Sequence, residues 1–313
     1  MRLSVCLPTY NPGPFLEPAL RSILDQRGVE IELLLSDDAS DPQIQMSLPE
    51  LEPNILRLHR NARRLGLVGN WNRCLELANG DPILIFHQDD RMRPNFLVRA
   101  QEALLRHPSA GFVFCNITTI DASGRETGGH WNPGALPASD TLLSGQDLIR
   151  SLLSQGNFIP CPTVVVRATA YREQGGFDSR LGYTPDLEMW LRIARRWDAV
   201  YLAEPLVESR RHVGQESSRF VATCRELREV RRAFQIYFER QDGDAIVTSR
   251  GDLPLPLDPD ERASQMALAR RHLRDWSRSM LRQALRGGRG RTAISLVGCR
   301  SRMLWEQRRG APC

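Results

Sequence analysis

The chain contains no lysine, so all 42 of its basic residues are arginine. That pattern points to a compositional bias and carries no mechanism. No run of eighteen apolar residues occurs, so a membrane-spanning helix is not expected. The sequence enters a core strand within its first residues, so no signal peptide is expected. Neither G-x-G-x-x-G nor G-x-x-x-x-G-K-[ST] stands at a strand-to-helix turn, which removes the usual glycine-rich phosphate cradles. The seven cysteines include no C-x-x-C. With Cys6, Cys74 and Cys115 in apolar surroundings, they point to reduced thiols, a cytoplasmic location and no zinc site. Repeats and low-complexity tracts are absent, and nucleic-acid binding is disfavoured because the basic region has few aromatics and no known module.

At 313 residues and 41% hydrophobic content, the chain is long enough to bury a sizeable core. Residues 61–90 are the most informative. They read as a loop, an amphipathic helix with Trp71, Cys74, Leu75 and Ala78 at the helical period, a Gly80–Pro82 break, and the apolar strand Ile83–Phe86. The strand stops on two carboxylates, Asp89 and Asp90. Adjacent acids at the carboxyl edge of a parallel sheet suit a Mg2+ or Mn2+ ion that bridges protein and diphosphate. A solvated turn is the plainer reading of one Asp-Asp, but a second pair, Asp37–Asp38, ends the strand Ile31–Ser36. The strand Leu3–Leu7 likewise ends in Pro8-Thr-Tyr-Asn11, followed by a helix with Phe15, Leu16, Ala19, Leu20, Ile23 and Leu24 on one face. A third strand is expected over 54–60. The alternation of strand and helix through Cys115 predicts an α/β fold with a Rossmann-like, largely parallel sheet.

The strings Leu7-Pro-Thr-Tyr-Asn11, Ser36-Asp-Asp-Ala-Ser-Asp41, Asn61…Gly66…Gly69-Asn-Trp-Asn72 and Phe86-His-Gln-Asp-Asp90 resemble, in order and spacing, the nucleotide-sugar half of family 2 glycosyltransferases, which have the GT-A fold. Pro162–Arg167, Gly175–Asp178 and Asp186–Ala194 are similar to that family's acceptor-side segment, and Arg210–Ser217 to its closing arginine-histidine loop. The resemblance covers residues 1–218: a nucleotide-sugar half, 1–115, and an acceptor half, 116–218. It implies metal-dependent, inverting transfer of a sugar from a nucleotide-diphosphate sugar, a UDP-sugar foremost, to a hydroxyl of a glycan, lipid-linked or protein acceptor, in bacterial surface polysaccharide or glycoconjugate synthesis. Carried over by position, Pro8, Thr9 and Asp38 would contact base and ribose, with Asp37 supporting their loop. Asn61 and Arg64 would line the donor site, and Asp89 would face the ribose or sugar. Asp90 would be the main Mn2+ or Mg2+ ligand, Asp186 the general base, and His212 a further metal or phosphate contact. Two positions depart from the family pattern. Gln88, beside His87, stands where an acid is common, and Pro185 where glutamate precedes the base.

The residues keep alternatives open. Pro185-Asp186 is also a good helix start with a capping or first-turn acid, and His212 reads equally as a bland loop histidine. A sugar-nucleotidyltransferase would share sheet and metal, but would need a glycine-rich basic loop that Pro8–Pro14 lacks. A non-catalytic nucleotide-sugar-binding protein is the third class, suggested by Gln88 and Pro185. Trp71, Trp190 and Trp197 read as packing, Asp121–Gly124 as a hairpin turn, and Trp131 as the aromatic of an irregular acceptor or donor loop. Residues 219–313 form a helical, arginine-rich extension with a linker near 241–259. Residues 259–313 hold 13 arginines and 4 acids, +9 against +5 for the whole chain. Helices are expected over 261–285 and 292–307. The apolar stripe of the first, beside its arginines, either packs on the α/β unit or a second subunit, or lies peripherally on the inner face of the plasma membrane.

Overall fold

Strand β1 (Leu3–Thr9) divides its side chains between two apolar clusters, Leu3, Val5 and Leu7 on one side and Cys6 on the other. Strand β2 (Ile31–Asp37) repeats this with Leu33 and Leu35 opposite Leu34. A period of two with both faces apolar belongs to a strand held between helical layers. The computed structural model describes residues 2–42, 44, 56–130, 136–212, 214–215, 224–242 and 258–286. In it both strands belong to a ten-stranded sheet. Strands β3 (Leu56–Arg60), β2, β1 and β4 (Ile83–Ile85) lie side by side and parallel. The short β9 (Val165–Val166) runs antiparallel between β4 and β6 (Ala110–Ile120), and β6 pairs in parallel with the long β10 (Asp198–Arg210). Strands β5 (Arg91–Met92) and β8 (Thr141–Leu143) are antiparallel to β10, and β7 (Glu126–His130) to β6. The expected mostly parallel α/β sheet is therefore present. Because β1, β2 and β4 share a direction, their three polar loops leave from one edge, where open α/β sheets bind ligands.

Helices α1 (Leu16–Leu24) and α3 (Phe96–Arg106) cover one face of the sheet. In α1 the buried residues are Leu16, Ala19, Leu20 and Ile23, the stripe that its sequence predicts. The other face carries α2 (Gly66–Leu77), α4 (Gly145–Gln155), α5 (Ala168–Gln174), α6 (Pro185–Ala194) and the two C-terminal helices, α7 (Cys224–Asp242) and α8 (Pro259–Arg286). Trp71 and Trp190 are buried in that layer, and Asp121–Gly124 closes the β6–β7 hairpin through the Gly124 N–H to Asp121 carbonyl bond, 3.0 Å. Helix α8 buries Ala269, Leu273 and Met280 in the same cluster as Phe234 and Phe238 of α7 and Leu152 of α4. Its apolar stripe packs on the α/β unit and leaves Arg271, Arg274, Arg278 and Arg282 exposed. Among the described residues no helix is long and apolar enough to cross a membrane. Trp131, most of the linker and the helix expected over 292–307 lie outside the described residues.

Candidate active site

The loop after β2 is held by its own acids. Asp37 accepts from the Ser40 N–H at 3.0 Å and pairs with Arg60. Asp38 accepts from the backbone N–H groups of Leu65 (2.7 Å) and Gly66 (2.8 Å), at the start of α2, and from the Asn61 amide (3.0 Å). Anionic acceptors suit a helix N-terminus, whose first N–H groups have no partner within the helix. Asn61 also donates to Asn70, which bonds both ends of Ser36. Loop 8–11 is tied to its neighbours as well. The Asn11 N–H donates to Ser40 Oγ, and the Asn11 side chain accepts from the Asp41 N–H, both at 2.9 Å.

The loop after β4 is built differently. Gln88 does not join the acids; its amide clamps the backbone of Tyr10, accepting from the N–H at 3.0 Å and donating to the carbonyl at 3.4 Å. His87, Asp89 and Asp90 converge instead, with one ligand atom of each within 4.8 Å of the others. Asp90 is 2% exposed and accepts from the Arg210 N–H at 2.8 Å. The same arginine grips the Asp89 carbonyl at 2.9 Å and lies over the Phe15 ring. Burial pushes the Asp90 carboxyl above its ordinary value despite the nearby His87. For His87, burial works against the charged ring, but the Asp90 hydrogen bond and the charges of Asp90 and Asp89 outweigh it and raise its pKa. His87 Nε2 is buried with no partner. The nitrogen turned to Asp90 is Nδ1, 3.4 Å from Oδ2, and an imidazole converging with two carboxylates is a donor set that fits a divalent cation. His212 lies at the rim, its Nε2 2.9 Å from Asp89 Oδ2 and its ring against Phe15.

Asp186 faces the same cleft from the other side. Pro185 opens α6, where its missing N–H is not needed; Asp186 follows in the first turn, and Thr184 holds the N-cap position without a side-chain cap. The Asp186 carboxylate takes a 2.7 Å hydrogen bond from Asn157. Burial pushes its pKa up to about 6. The cleft has a volume of about 1260 Å³ and is lined by Pro8, Thr9, Asp38, Arg64, Asp89, Asp186 and His212, with residues of α7 and α8 closing it. Asp37, Asn61 and Asp90 stand behind this lining. Thr9 turns its hydroxyl back to the Leu7 carbonyl, and Arg64 lies over the Tyr10 ring at 3.9 Å.

Several members of this arrangement carry no motif of their own. His87, beside Gln88, is signalled only by its i, i+3 spacing from Asp90 just after a strand. Arg210 opens the arginine-histidine segment, but nothing in that segment marks it as the strut of the second Asp pair. Asn72 joins the two halves: it donates to the Phe177 carbonyl (2.9 Å) and accepts from the Phe177 N–H (2.7 Å). A Cβ on Gly176 would come within 2.7 Å of the Asn72 side chain, so this crossing needs glycine.

The family description "Glycosyl transferase family 2" matches residues 4–174. The Mycobacterium tuberculosis protein MT1568 is 33% identical over 232 residues, 72% of each chain. Among solved structures, S. aureus TarS residues 1–349 in complex with UDP-GlcNAc superposes with a TM-score of 0.64 at 15% identity, covering 87% of this chain and 72% of that one. The mannosyltransferase PcManGT of Pyrobaculum calidifontis, solved with GDP-Man and Mn2+, gives 0.54 at 19% identity over 97% and 87%. A mostly parallel sheet with its acidic loops at one edge, a facing carboxylate and these matches define a glycosyltransferase of GT-A fold. The chain belongs to glycosyl transferase family 2.

Proposed function

We propose that the protein transfers a sugar from a nucleotide-diphosphate sugar, a UDP-sugar foremost, to a hydroxyl acceptor in one inverting, divalent-cation-dependent step. The observation that carries this reading is Asp186: a buried carboxylate, oriented by Asn157, facing the cleft that the His87–Asp89–Asp90 cluster borders. The acceptor oxygen attacks the anomeric carbon while its proton passes to Asp186. The bond from that carbon to the diphosphate oxygen breaks, and its electron pair leaves with the nucleotide. A cation held by His87, Asp89 and Asp90 would supply Lewis-acid stabilisation of the leaving diphosphate. One imidazole and two carboxylates suit Mn2+ better than Mg2+, which takes oxygen ligands almost alone. Arg211 and Arg64 line the cleft as cations for phosphate oxygens. The UDP preference is supported by the UDP-GlcNAc complex of TarS. The exposed row Arg271, Arg274, Arg278 and Arg282 supports peripheral contact with an anionic membrane, which co-sedimentation with anionic and neutral vesicles tests.

Asp186→Asn is the decisive variant. It is expected to bind UDP with Mn2+ as the parent does and to lose transfer by about 10²–10⁴-fold. A variant that transfers at the parental rate per folded molecule overturns the assignment. With a required ionised base, parental activity should fall about tenfold per pH unit below about pH 6.

A further inference from the structure

Helix α8 follows the last of the family motifs, yet it forms one wall of the cleft. His272, Asp275, Trp276 and Ser279 all line it, a spacing of i, i+3, i+4 and i+7 that puts them on one helical face. Their neighbours Leu273, Ser277 and Met280 face the core. Trp276 differs from the buried Trp71 and Trp190: it is only partly buried and faces the cleft. His272 backs it, with ring centroids 5.6 Å apart and planes at 31°. The His272 ring also bonds the Ser154 backbone and sits so close to Gly156 that a Cβ there would lie 2.9 Å from Nε2. Gly156 adjoins Asn157, the residue that orients Asp186. The wall formed by α8 is thus one residue removed from the partner of the base.

An aromatic face with hydroxyl acceptors at its edge is what a pyranose requires, since its C–H face stacks on an apolar ring while its hydroxyls find oxygens. Asp275, which also pairs with Arg278 at 3.6 Å, and Ser279 share that cleft-facing side of α8 with Trp276 and supply those oxygens. We propose that α8 builds the acceptor subsite, with a pyranoside ring of the acceptor stacked on Trp276 and hydrogen-bonded to Asp275 and Ser279. The acceptor is then a saccharide and not a bare lipid alcohol or a protein hydroxyl. This rests on the reading of Asp186 as the group that receives the acceptor proton.

The test titrates the full chain, saturated with UDP and Mn2+, with methyl pyranosides of gluco, galacto, manno, rhamno and N-acetylglucosamine configuration, followed by ligand-observed NMR and tryptophan fluorescence. At least one pyranoside is expected to bind saturably. Trp276→Ala should weaken that binding by about tenfold or more, equivalent to 1.4 kcal/mol, and Trp276→Tyr should largely retain it. UDP affinity should be the same in all three proteins. If Trp276→Ala does not fold, Ser279→Phe, which fills the groove beside the ring, is expected to give the same loss. No saturable pyranoside binding by the parent, or binding indifferent to both substitutions, overturns the subsite. Failure of the parent to bind UDP at all would instead count against the donor reading.

Discussion

Strand β1 is flanked by two Asp-Asp pairs, Asp37–Asp38 after β2 and Asp89–Asp90 after β4. The carboxylates of the first pair are consumed by the fold: backbone N–H groups of Ser40, Leu65 and Gly66, the Asn61 amide and Arg60 occupy them. Those of the second face histidines, His212 on Asp89 and His87 on Asp90, and leave a buried imidazole nitrogen without a partner. The same dipeptide after the same kind of strand thus serves as a brace in one loop and as a reserve of ligand atoms in the other.

Substitution to asparagine should separate the two with opposite signs. Asp90→Asn is expected to lower Mn2+-dependent UDP affinity by at least about 100-fold, read by calorimetry. The metal-free variant should be as stable as the parent or more so, because an ionised carboxylate has left a buried position. Equal UDP affinity with and without Mn2+ in the parent would remove the metal from the scheme. Asp38→Asn should instead cost about 3 kcal/mol in chemical denaturation whether or not metal is present, since its amide would turn a donor toward backbone donors. Asp186→Asn, whose raised pKa means that the folded state destabilises the ionised acid, should gain about 3 kcal/mol at pH 8, a gain that shrinks as pH falls below about 6 and is gone near the ordinary carboxylate value of about 4.

pH sharpens the contrast further. Asp90 and His87 both have raised pKa values. A raised acid favours the folded state while protonated, and a raised histidine favours it while charged. Both contributions are lost as pH rises through the folded values, so the metal-free protein should lose stability on that side. Added Mn2+ should restore it, visible as a thermal shift that grows with pH. The smallest effect lies in the turn of the first pair. Ala39 sits at φ 57°, in the left-handed region, and Ala39→Gly should stabilise by about 0.5 kcal/mol.

What the sequence made legible was local: the strands that end in acids, the period of α1, the Pro185 helix start and the span of α8. Each follows from residues adjacent along the chain. What it hid depends on chain crossings that no period encodes. The Gln88 clamp on Tyr10, the Asn72 clamp on Phe177, the Arg210 strut and the two N–H groups on Asp38 join residues dozens of positions apart. Helix α8 shows the division within one element. Its apolar stripe was readable, but not that the stripe packs near α4 and turns Trp276 toward the cleft.

Glu188, one turn beyond Pro185, is 0% exposed. Two guanidiniums neutralise it: Arg192 at 2.8 Å, four residues along α6, and Arg240 at 3.2 Å, from the last turn of α7. Arg240 also holds Asp178 at 2.9 Å. A chain ended at residue 218 would keep every motif of the resemblance and lose Arg240 together with the apolar face of α7. Half the countercharge of a buried acid would go with it, a loss of the kind that costs about 3–5 kcal/mol. The smallest autonomous unit therefore extends at least through residue 240.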